Sequence, residues 1–278
     1  MIGLIDVGGG MRGIYSAAVL DWCIDNNIQF DWTFGVSAGS NNITSFVAGQ
    51  RGRSYRFYVE YPRRKEYMGL WQKIKTGNFL NLDYVYGVLS ASDGEDPLDY
   101  DTMMASPMNM CVVASDALTG DPVYFYKETY ERDDYGFISA SCCVPWVNQP
   151  TNYRGHLYYD GGFSDPIPIE KAFELGCDKV IVLLTRPRDF YRNPKRDRKL
   201  ARPIRRKYPQ TAEKLARRAE LYNEELDLVK HYEKEGRAMI IAPDSIEGMD
   251  TLTRNREKQN HLYQKGLADA PAMLDFMR

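Results

Sequence analysis

The sequence lacks the features that would place a protein in a membrane or among disulfide-rich secreted proteins. No apolar run approaches the roughly 20 residues that a membrane-spanning helix needs. Residues 1–6 carry no basic region and already read as a strand, so we expect no signal peptide. The five cysteines are an odd number without a C-x-x-C spacing, which predicts reduced thiols in a cytoplasmic protein. We expect the adjacent Cys142 and Cys143 to be small buried residues in a helix rather than a redox pair.

Histidine is also scarce, which limits the catalytic mechanisms open to the chain. Its three histidines are His156 in a short predicted strand and His231 and His261 in polar, helix-like segments. None follows a strand end with a glycine-rich loop, where the triad histidine of an α/β-hydrolase lies, so we expect all three on the surface. Neither a His-Glu-x-x-His motif nor a Cys/His cluster with ligand spacing occurs, so we predict no metal site and no cofactor.

The sequence does contain enough apolar residues for a substantial core. With 278 residues, 44% of them hydrophobic, it fits one large α/β domain or two small ones. The net charge of −2 hides an asymmetry, because residues 186–218 contain 14 Lys and Arg and three acids. This basic segment carries +11, which leaves −13 for the rest of the chain. It can dock on anionic lipid or nucleic acid, or it can be a solvated surface that pairs with the acidic remainder.

The N-terminal residues alternate between strand and helix patterns. Residues 2–7 form an apolar run typical of a buried parallel strand, and a glycine-rich loop separates them from a helix at 14–26. A second strand at 31–36 leads into a helix at 38–49. The sequence therefore predicts a parallel α/β fold.

The later elements are predicted from the same patterns. Residues 51–105 are less informative, and parts of 51–67 and 80–89 are expected to be helical. Strands are predicted at 110–114, 123–126, 156–159, 179–184 and 238–242, the second pairing antiparallel with the first. Helices are predicted at 138–143, 169–175, 211–235, 253–265 and 271–277.

The motif Gly35-Val36-Ser37-Ala38-Gly39 lies between the second strand and the helix that follows it. This is the Gly-x-Ser-x-Gly pattern of a nucleophile elbow, a sharp turn that exposes a serine hydroxyl above a sheet. Gly35 and Gly39 supply no Cβ where so tight a turn leaves no room. An ordinary strand-to-helix turn is the alternative interpretation.

The glycine loop at residues 8–13 has three interpretations. Gly8, Gly10 and Gly13 match the dinucleotide-binding fingerprint, but the ribose-binding acid should end the second strand, and Asp31 lies at its start. Alternatively, backbone N–H groups of this loop form an oxyanion hole above Ser37, because adjacent parallel strands end side by side. A tight packing turn without a catalytic role remains the third interpretation.

A serine nucleophile needs a base, and Asp160 is the best candidate. It follows a short strand and precedes Gly161 and Gly162, which carry no side chain that could screen it from the nucleophile. A positioned carboxylate can act as a general base. The alternative is an ordinary turn, since Asp-Gly is a common turn dipeptide.

Taken in order, these three motifs resemble the patatin-like phospholipase family, and the resemblance covers residues 2–184. It implies a nucleophile, Ser37, and a base, Asp160, that form a catalytic dyad. The residues that it assigns to the oxyanion hole are Gly8, Gly9, Gly10 and Met11. The residues that it assigns to supporting the motifs are Arg12, Gly13, Gly35, Gly39, Gly161 and Gly162.

The resemblance also implies an architecture. We expect a three-layer α/β/α fold around a mostly parallel sheet, with a catalytic core at 1–185. A basic, mainly helical C-terminal region at 186–278 should pack on it and add one strand. The departures from the family pattern are Val7, where serine is frequent, and Cys142-Cys143, where serine and isoleucine are usual.

The implied function is hydrolysis of lipid acyl esters, such as phospholipids or lysophospholipids, by a cytoplasmic enzyme. Residues 186–218 could contact the inner face of an anionic membrane, and we expect no nucleic acid partner. Candidate acyl-chain contacts, or else core residues, are Tyr67, Trp71, Phe79 and Leu80. A non-catalytic anionic-lipid-binding module and a nucleotide-binding oxidoreductase remain the alternatives.

Overall fold

The computed structural model describes residues 1–246 and 248–278. The strands of this part of the chain are β1 Ile2–Asp6, β2 Trp32–Val36, β3 Asn109–Asp116, β4 Pro122–Tyr126, β5 Thr151–Tyr153, β6 His156–Asp160, β7 Lys179–Leu183 and β8 Ala238–Ile241. Its α-helices are α1 Ile14–Asp25, α2 Ala38–Val47, α3 Arg53–Val59, α4 Leu70–Thr76, α5 Tyr100–Ala105, α6 Gly136–Ser141, α7 Ile169–Glu174, α8 Pro194–Ala201, α9 Pro209–Lys234, α10 Arg256–Asp269 and α11 Met273–Met277.

The strands form one mixed sheet in the order β5-β6-β3-β2-β1-β7-β8, with β4 paired to β3. The pairs that join β3, β2, β1, β7 and β8 are parallel, whereas β4, β5 and β6 pair antiparallel. The strand β1 lies between β2 and β7, with Ile5 opposite Phe34 and Val182. Such central strands read as continuous apolar runs because helices cover both faces.

Alternate side chains of the central strands enter two separate hydrophobic clusters, one on each face of the sheet. Leu4 and Leu183 belong to the cluster that includes residues of α1, α2, α6 and α10. Ile5 and Val182 belong to the other, which includes residues of α7 and α9. Because successive strand residues point to opposite faces, the sheet is the middle layer of three. The predicted three-layer α/β/α fold is confirmed.

The C-terminal residues pack on the N-terminal helices and extend the sheet. The strand β8 pairs with β7, and α10 packs along α1. Tyr263 of α10 donates a hydrogen bond to Asp21, and Gln259 donates one to the carbonyl of Tyr58. No helix in the described part of the chain is both long and apolar enough to cross a membrane.

Three details differ from the local predictions. The short strand β5 was not predicted, and residues 83–88 form a π-helix inside the segment predicted as an ordinary helix. The helix α6 ends at Ser141, so Cys142 and Cys143 follow it rather than lie within it. Both thiols are unpaired and buried, and burial raises the pKa of each to about 12. The histidines are exposed, as predicted.

Candidate active site

The glycine loop and the Ser37 turn lie side by side because β1 and β2 are parallel neighbours. Both loops leave the carboxyl ends of their strands, where ligands bind in open α/β sheets. The approach is close enough to require glycine. A Cβ on Gly8 would lie 2.2 Å from the carbonyl oxygen of Val36, and one on Gly39 would lie 2.2 Å from that of Asp6.

Ser37 occupies the strained turn between β2 and α2. Its φ of 57° and ψ of −131° are unusual for a residue with a side chain, and such strain concentrates at functional sites. Three side-chain contacts fix its backbone. The N–H donates to Ser141 Oγ at 2.9 Å, and the carbonyl accepts from Ser40 Oγ at 2.6 Å and from Cys142 Sγ at 3.1 Å. The predicted strand–turn–helix context is therefore present.

Asp160 ends β6, and its backbone is held from two sides. Its N–H donates to the carbonyl of Cys143 at 2.8 Å, and its own carbonyl accepts from Ser115 Oγ at 2.8 Å. The carboxylate accepts from the Gly162 N–H at 2.8 Å. Gly161 has no room for a side chain, since a Cβ would lie 2.2 Å from the carbonyl oxygen of Val113.

The Asp160 carboxyl is only 2% exposed, and this burial raises its pKa above the ordinary value. The positive charges of Arg218 and Arg192, the Ser37 side chain and the Gly162 N–H act in the opposite direction and lower the pKa. Ser37 and Asp160 also line the same cavity. Burial is the largest of these effects, so the net shift is upward.

The glycine loop has fewer unengaged N–H groups than the predicted oxyanion hole requires. Gly8 donates its N–H to Asp6 Oδ1 at 2.9 Å, and Met11 donates its N–H to the carbonyl of Thr251 at 3.0 Å. These two N–H groups are therefore engaged elsewhere, which corrects that part of the assignment. The N–H groups of Gly9 and Gly10 have no hydrogen-bond partner among the residues described, and both glycines line the same cavity as Ser37.

Two acids and a threonine that sequence reasoning missed hold this loop in place. Asp6 is fully buried and accepts hydrogen bonds from the Gly8 N–H and the Asn42 side chain, and burial raises its pKa to about 6. Thr251 contacts the loop through its carbonyl, and Asp250 lies 3.6 Å from Arg12. Asp6 could have been found from its place between a strand and the glycines. The other two gave no local signal.

Arg12 and Gly13, which the sequence assigns supporting roles, lie on either side of the loop. The guanidinium of Arg12 is almost fully buried and donates to Thr251 Oγ1 at 3.3 Å. Gly13 lies against Tyr58, where a Cβ would approach the phenol oxygen to 2.4 Å. Gly35 lies against α2, where a Cβ would approach Cα of Ser40 to 2.6 Å.

Ser37 lies where two cavities of different character meet. The larger one, of about 630 Å³, also contains Asp160, Gly9, Gly10 and several arginines in its lining. The smaller one, of about 80 Å³, has a mainly apolar lining. Its largest side chains are Phe57, Tyr58, Tyr67, Met68, Leu80 and Tyr86. A substrate with one apolar and one charged end fits this division.

The four candidate acyl-chain contacts lie in three different environments in the structure. Tyr67 and Leu80 line the smaller cavity. Trp71 is 60% exposed on α4, so it belongs neither to the core nor to that cavity. Phe79 is half-buried and packs against the main hydrophobic cluster.

The dinucleotide-binding interpretation gains no support from the geometry. Asp31 lies at the amino end of β2, where its carboxylate accepts the Ile2 N–H at 2.6 Å. Within the described ranges, the carboxyl end of β2 leads directly into Ser37 and carries no acid for a ribose. In the same ranges, no group of three or more His, Cys, Asp or Glu side chains is placed to hold a metal ion.

Comparison with known proteins identifies matching families and a protein of similar fold. The model of the patatin-like phospholipase family matches residues 7–173, and that of a domain of unknown function (DUF6363) matches residues 208–278. VipD from Legionella pneumophila has a similar fold, with a TM-score of 0.51 and 10% sequence identity over 98% of this chain and 66% of that one.

Two kinds of relative illustrate the sequence similarity. The uncharacterized protein YjjU of Escherichia coli K12 is 30% identical over 200 residues, which are 69% of this chain and 54% of YjjU. The lysophospholipase NTE1 of Yarrowia lipolytica is 23% identical over 192 residues, which are 66% of this chain and 12% of NTE1. The chain thus matches about half of the first relative and a small part of the second.

The family match includes the glycine loop, the Ser37 turn and Asp160, and it covers more than half of the chain. The chain belongs to the patatin-like phospholipase family.

Proposed function

We propose that the protein is a serine lipid acyl hydrolase in which Ser37 is the nucleophile and Asp160 the general base. The observation that carries the proposal is that a strained serine and a buried carboxylate line the same cavity. A serine hydroxyl is a weak nucleophile until a neighbouring base takes its proton. A carboxyl with a raised pKa is a stronger base than an ordinary aspartate.

The chemistry proceeds in two halves. Ser37 Oγ attacks the ester carbonyl carbon while Asp160 takes its proton, and the protonated Asp160 then gives that proton to the departing alkoxide. A water molecule then attacks the acyl-enzyme and gives its proton to Asp160. Asp160 passes this proton to Ser37 Oγ as the free acid is released. The N–H groups of Gly9 and Gly10 are the proposed oxyanion donors, each worth about 2.7–4 kcal/mol in the transition state.

The two cavities suggest how a lipid would bind. The acyl chain would enter the small apolar cavity, and the rest of the lipid would occupy the larger, arginine-lined one. The NTE1 relatives are named lysophospholipases, and a lysophospholipid is a reasonable substrate for such a site. Phospholipids and other long-chain esters belong to the same chemical class.

We assign these tasks to two regions of the chain. Residues 1–185 supply the nucleophile, the base and the glycine loop, and they act as the catalytic core. Residues 186–278 supply one wall of the larger cavity, through Arg186, Arg192, Arg218 and Thr251. This arginine-rich wall also favours a second candidate function, binding of anionic lipid without catalysis.

The proposal is tested with a fluorophosphonate probe and a lipid ester assay. We expect the probe to label the native protein at Ser37 and to leave Ser37→Ala unlabelled. Asp160→Asn should lower kcat by about 10²–10⁴-fold, because a positioned base contributes that much. Ser92→Ala, which changes an exposed serine outside both cavities, is the matched control and should keep full labelling.

Circular dichroism should show that all variants are folded. Undiminished labelling of Ser37→Ala, or full turnover by Asp160→Asn, would contradict the proposed dyad. Lipid binding by a folded native protein that neither labels nor hydrolyses any ester would favour the non-catalytic function instead.

A further inference from the structure

Five arginines and three aspartates line the larger cavity beside Ser37. Arg12 comes from the glycine loop. The others follow β7 or belong to α8 and α9, and they are Arg186, Arg192, Arg196 and Arg218. In the described part of the chain, Arg12 is the one member that forms an ion pair, with Asp250 at 3.6 Å. The cavity therefore holds more positive charge than its own carboxylates balance.

Aromatic rings, rather than carboxylates, position three of these guanidinium groups. Arg186 lies over Phe190 at 4.2 Å, and Arg192 lies over Tyr222 at 4.3 Å from the ring centroids. Arg218 lies over Phe163 at 5.2 Å. Stacking engages the flat face of a guanidinium and leaves its N–H edge free for a ligand.

Several of these N–H groups are buried without a partner. The Nε–H groups of Arg12, Arg192 and Arg218 are shielded from solvent and donate to no acceptor among the residues described. Leaving a charged donor buried and unpaired is costly, so such groups are normally satisfied. Three arginines of one cavity therefore carry positive charge that no protein acceptor balances at Nε, and a ligand with several acceptor oxygens would balance it.

The arginines also destabilise one another's charged forms. Burial, together with the charges of Arg186 and Arg218, lowers the pKa of Arg12 to about 10. Burial and the charge of Arg218 lower the pKa of Arg192 to about 9. Asp250 acts in the opposite direction on Arg12, and Asp197 does so on Arg192. A bound anion would relieve this repulsion.

We propose that Arg12, Arg186, Arg192 and Arg218 form an anion-binding subsite that takes the phosphate of an anionic acyl ester and makes the enzyme prefer it to a zwitterionic one. The proposal rests on the proposed hydrolase function and specifies its substrate class. Guanidinium groups bind phosphate oxygens through paired, charge-assisted hydrogen bonds. A phosphomonoester, with two negative charges and several acceptor oxygens, matches the excess of five arginines over three aspartates.

The same lining disfavours a choline headgroup. A quaternary ammonium is normally held by the faces of aromatic rings. Here the rings of Phe190 and Tyr222 are already covered by arginines, and the surrounding charge is positive. Phosphatidylcholine and its lyso form should therefore bind less well than lipids that end in a bare phosphate.

The subsite is close enough to act on the reaction centre. Arg218 and Arg192 both lower the pKa of Asp160. A phosphate that neutralises these arginines removes this effect and makes Asp160 a stronger base. We therefore expect the acid limb of the kcat–pH profile to lie at higher pH for an anionic substrate than for a neutral one.

The first experiment compares three esters with the same acyl chain: lysophosphatidic acid, lysophosphatidylcholine and monoacylglycerol. The native enzyme should have the highest kcat/KM for lysophosphatidic acid, by at least about 10-fold over lysophosphatidylcholine. Arg186→Gln removes a charge that is not among the largest influences on the pKa of Asp160. It should lower the ratio of kcat/KM for lysophosphatidic acid to that for monoacylglycerol by about 10–100-fold, as expected for a lost charge-assisted contact.

The matched control is Arg188→Gln, two residues away, where an exposed arginine pairs with Glu233 outside the cavity. This control should leave the ratio unchanged. Equal kcat/KM values for the three esters, unaffected by Arg186→Gln, would overturn the proposed preference.

The second experiment does not require catalysis. Inorganic phosphate should raise the thermal unfolding temperature of the Ser37→Ala protein, and adding Arg192→Gln should abolish the increase. If the native protein hydrolyses none of the esters while phosphate still stabilises Ser37→Ala, the hydrolase function is contradicted and the subsite is supported. Phosphate stabilisation without any preference among the three esters would mean that the subsite takes free phosphate, which would overturn the lipid-headgroup assignment. Absence of both effects would overturn the subsite itself.

Discussion

Asp160 is subject to two opposing electrostatic influences that come from different parts of the chain. Burial at the end of β6 raises its pKa, whereas Arg218 and Arg192 of the C-terminal region lower it. If Asp160 is the base, activity requires its ionised form and must fall as the pH drops through its pKa. That pKa lies above the ordinary value of a carboxyl group, so the loss should begin at a higher pH than for an exposed aspartate.

Replacing Arg218 tests this balance directly. Arg218→Gln removes the largest influence that lowers the pKa of Asp160, so the acid limb of the kcat/KM profile for a neutral ester should move to higher pH. The neighbouring Arg217→Gln is the matched control, because Arg217 is exposed and pairs with Glu220 outside the cavity. A limb that stays in place or moves to lower pH in Arg218→Gln would argue against Asp160 as the base.

At the residue scale, the sequence could single out candidate site residues that are marked by their immediate neighbours in the chain. Ser37 could be singled out because its flanking glycines are needed within the same turn, and Asp160 because two glycines follow it. Thr251 could not be predicted, because it reaches the glycine loop only after the chain has folded. The engaged N–H of Met11 was missed for the same reason.

The short helix α4 exposes an apolar face beside the cavity. Leu70, Trp71 and Ile74 are 75%, 60% and 81% exposed. Lys73 of the same helix donates to the carbonyl of Trp146, which lines the larger cavity. Trp146 in turn donates its indole N–H to Leu200 in the basic helix α8. Apolar and basic surfaces therefore adjoin at the cavity rim, a combination that suits an anionic bilayer.

We propose that this rim contacts the membrane, and Ile74→Glu tests it. The substitution places a negative charge on the exposed apolar face, so binding to vesicles that contain phosphatidylglycerol should weaken by about 10-fold or more, as expected for a lost apolar contact and a new repulsion. Co-sedimentation measures the change. Leu118→Glu changes an exposed leucine in the turn between β3 and β4, away from α4 and outside both cavities, and should have little effect. Equal losses in the two variants would indicate a charge effect without a docking face.

The elements themselves were predictable where they are buried and periodic. The apolar runs of β1 and β7 gave clear strands, since helices cover both of their faces. The three-residue strand β5 gave no such signal, because it is too short for an alternating pattern and is mostly accessible to solvent. Cys142 and Cys143 were placed in a helix because small residues precede them, whereas the helix ends at Ser141, two residues before the predicted end.

At the scale of the whole molecule, residues from both ends of the described chain together enclose the larger cavity. The helix α10 packs on α1, β8 extends the sheet beyond β7, and Thr251 and Asp250 contact the glycine loop. The family model that contains the proposed dyad ends at residue 173, well before these contacts. The two matched regions thus share one hydrophobic cluster, in which Tyr15 and Leu262 both lie.

Removing residues 208–278 should therefore abolish activity rather than release an active core. The deletion exposes the apolar faces of α1 and β7 and leaves Arg12 without its partners, so we expect a low soluble yield and no fluorophosphonate labelling. The full chain carrying Arg188→Gln serves as the comparison for expression. Native-like labelling of a soluble 1–207 fragment would contradict this expectation.

At this largest scale the sequence predicted the layers but not the position of the basic segment. Counting charges located the excess at residues 186–218 without showing which way the side chains point. In the structure, Lys195 and Arg198 are exposed, whereas Arg192 and Arg218 line the cavity. The segment therefore contains both solvated and cavity-lining members, and only tertiary packing separates them.

The contact between Arg12 and Thr251 joins residues that are 239 positions apart. A ribosome adds about 5–20 residues per second, so tens of seconds of synthesis separate the glycine loop from the residue that secures it. During that interval a nascent chain has made Ser37 and Asp160 but still lacks the wall that completes their cavity. The order of synthesis therefore delays assembly of the site until almost the whole described chain has been made, which would protect nearby lipids from a partly folded enzyme.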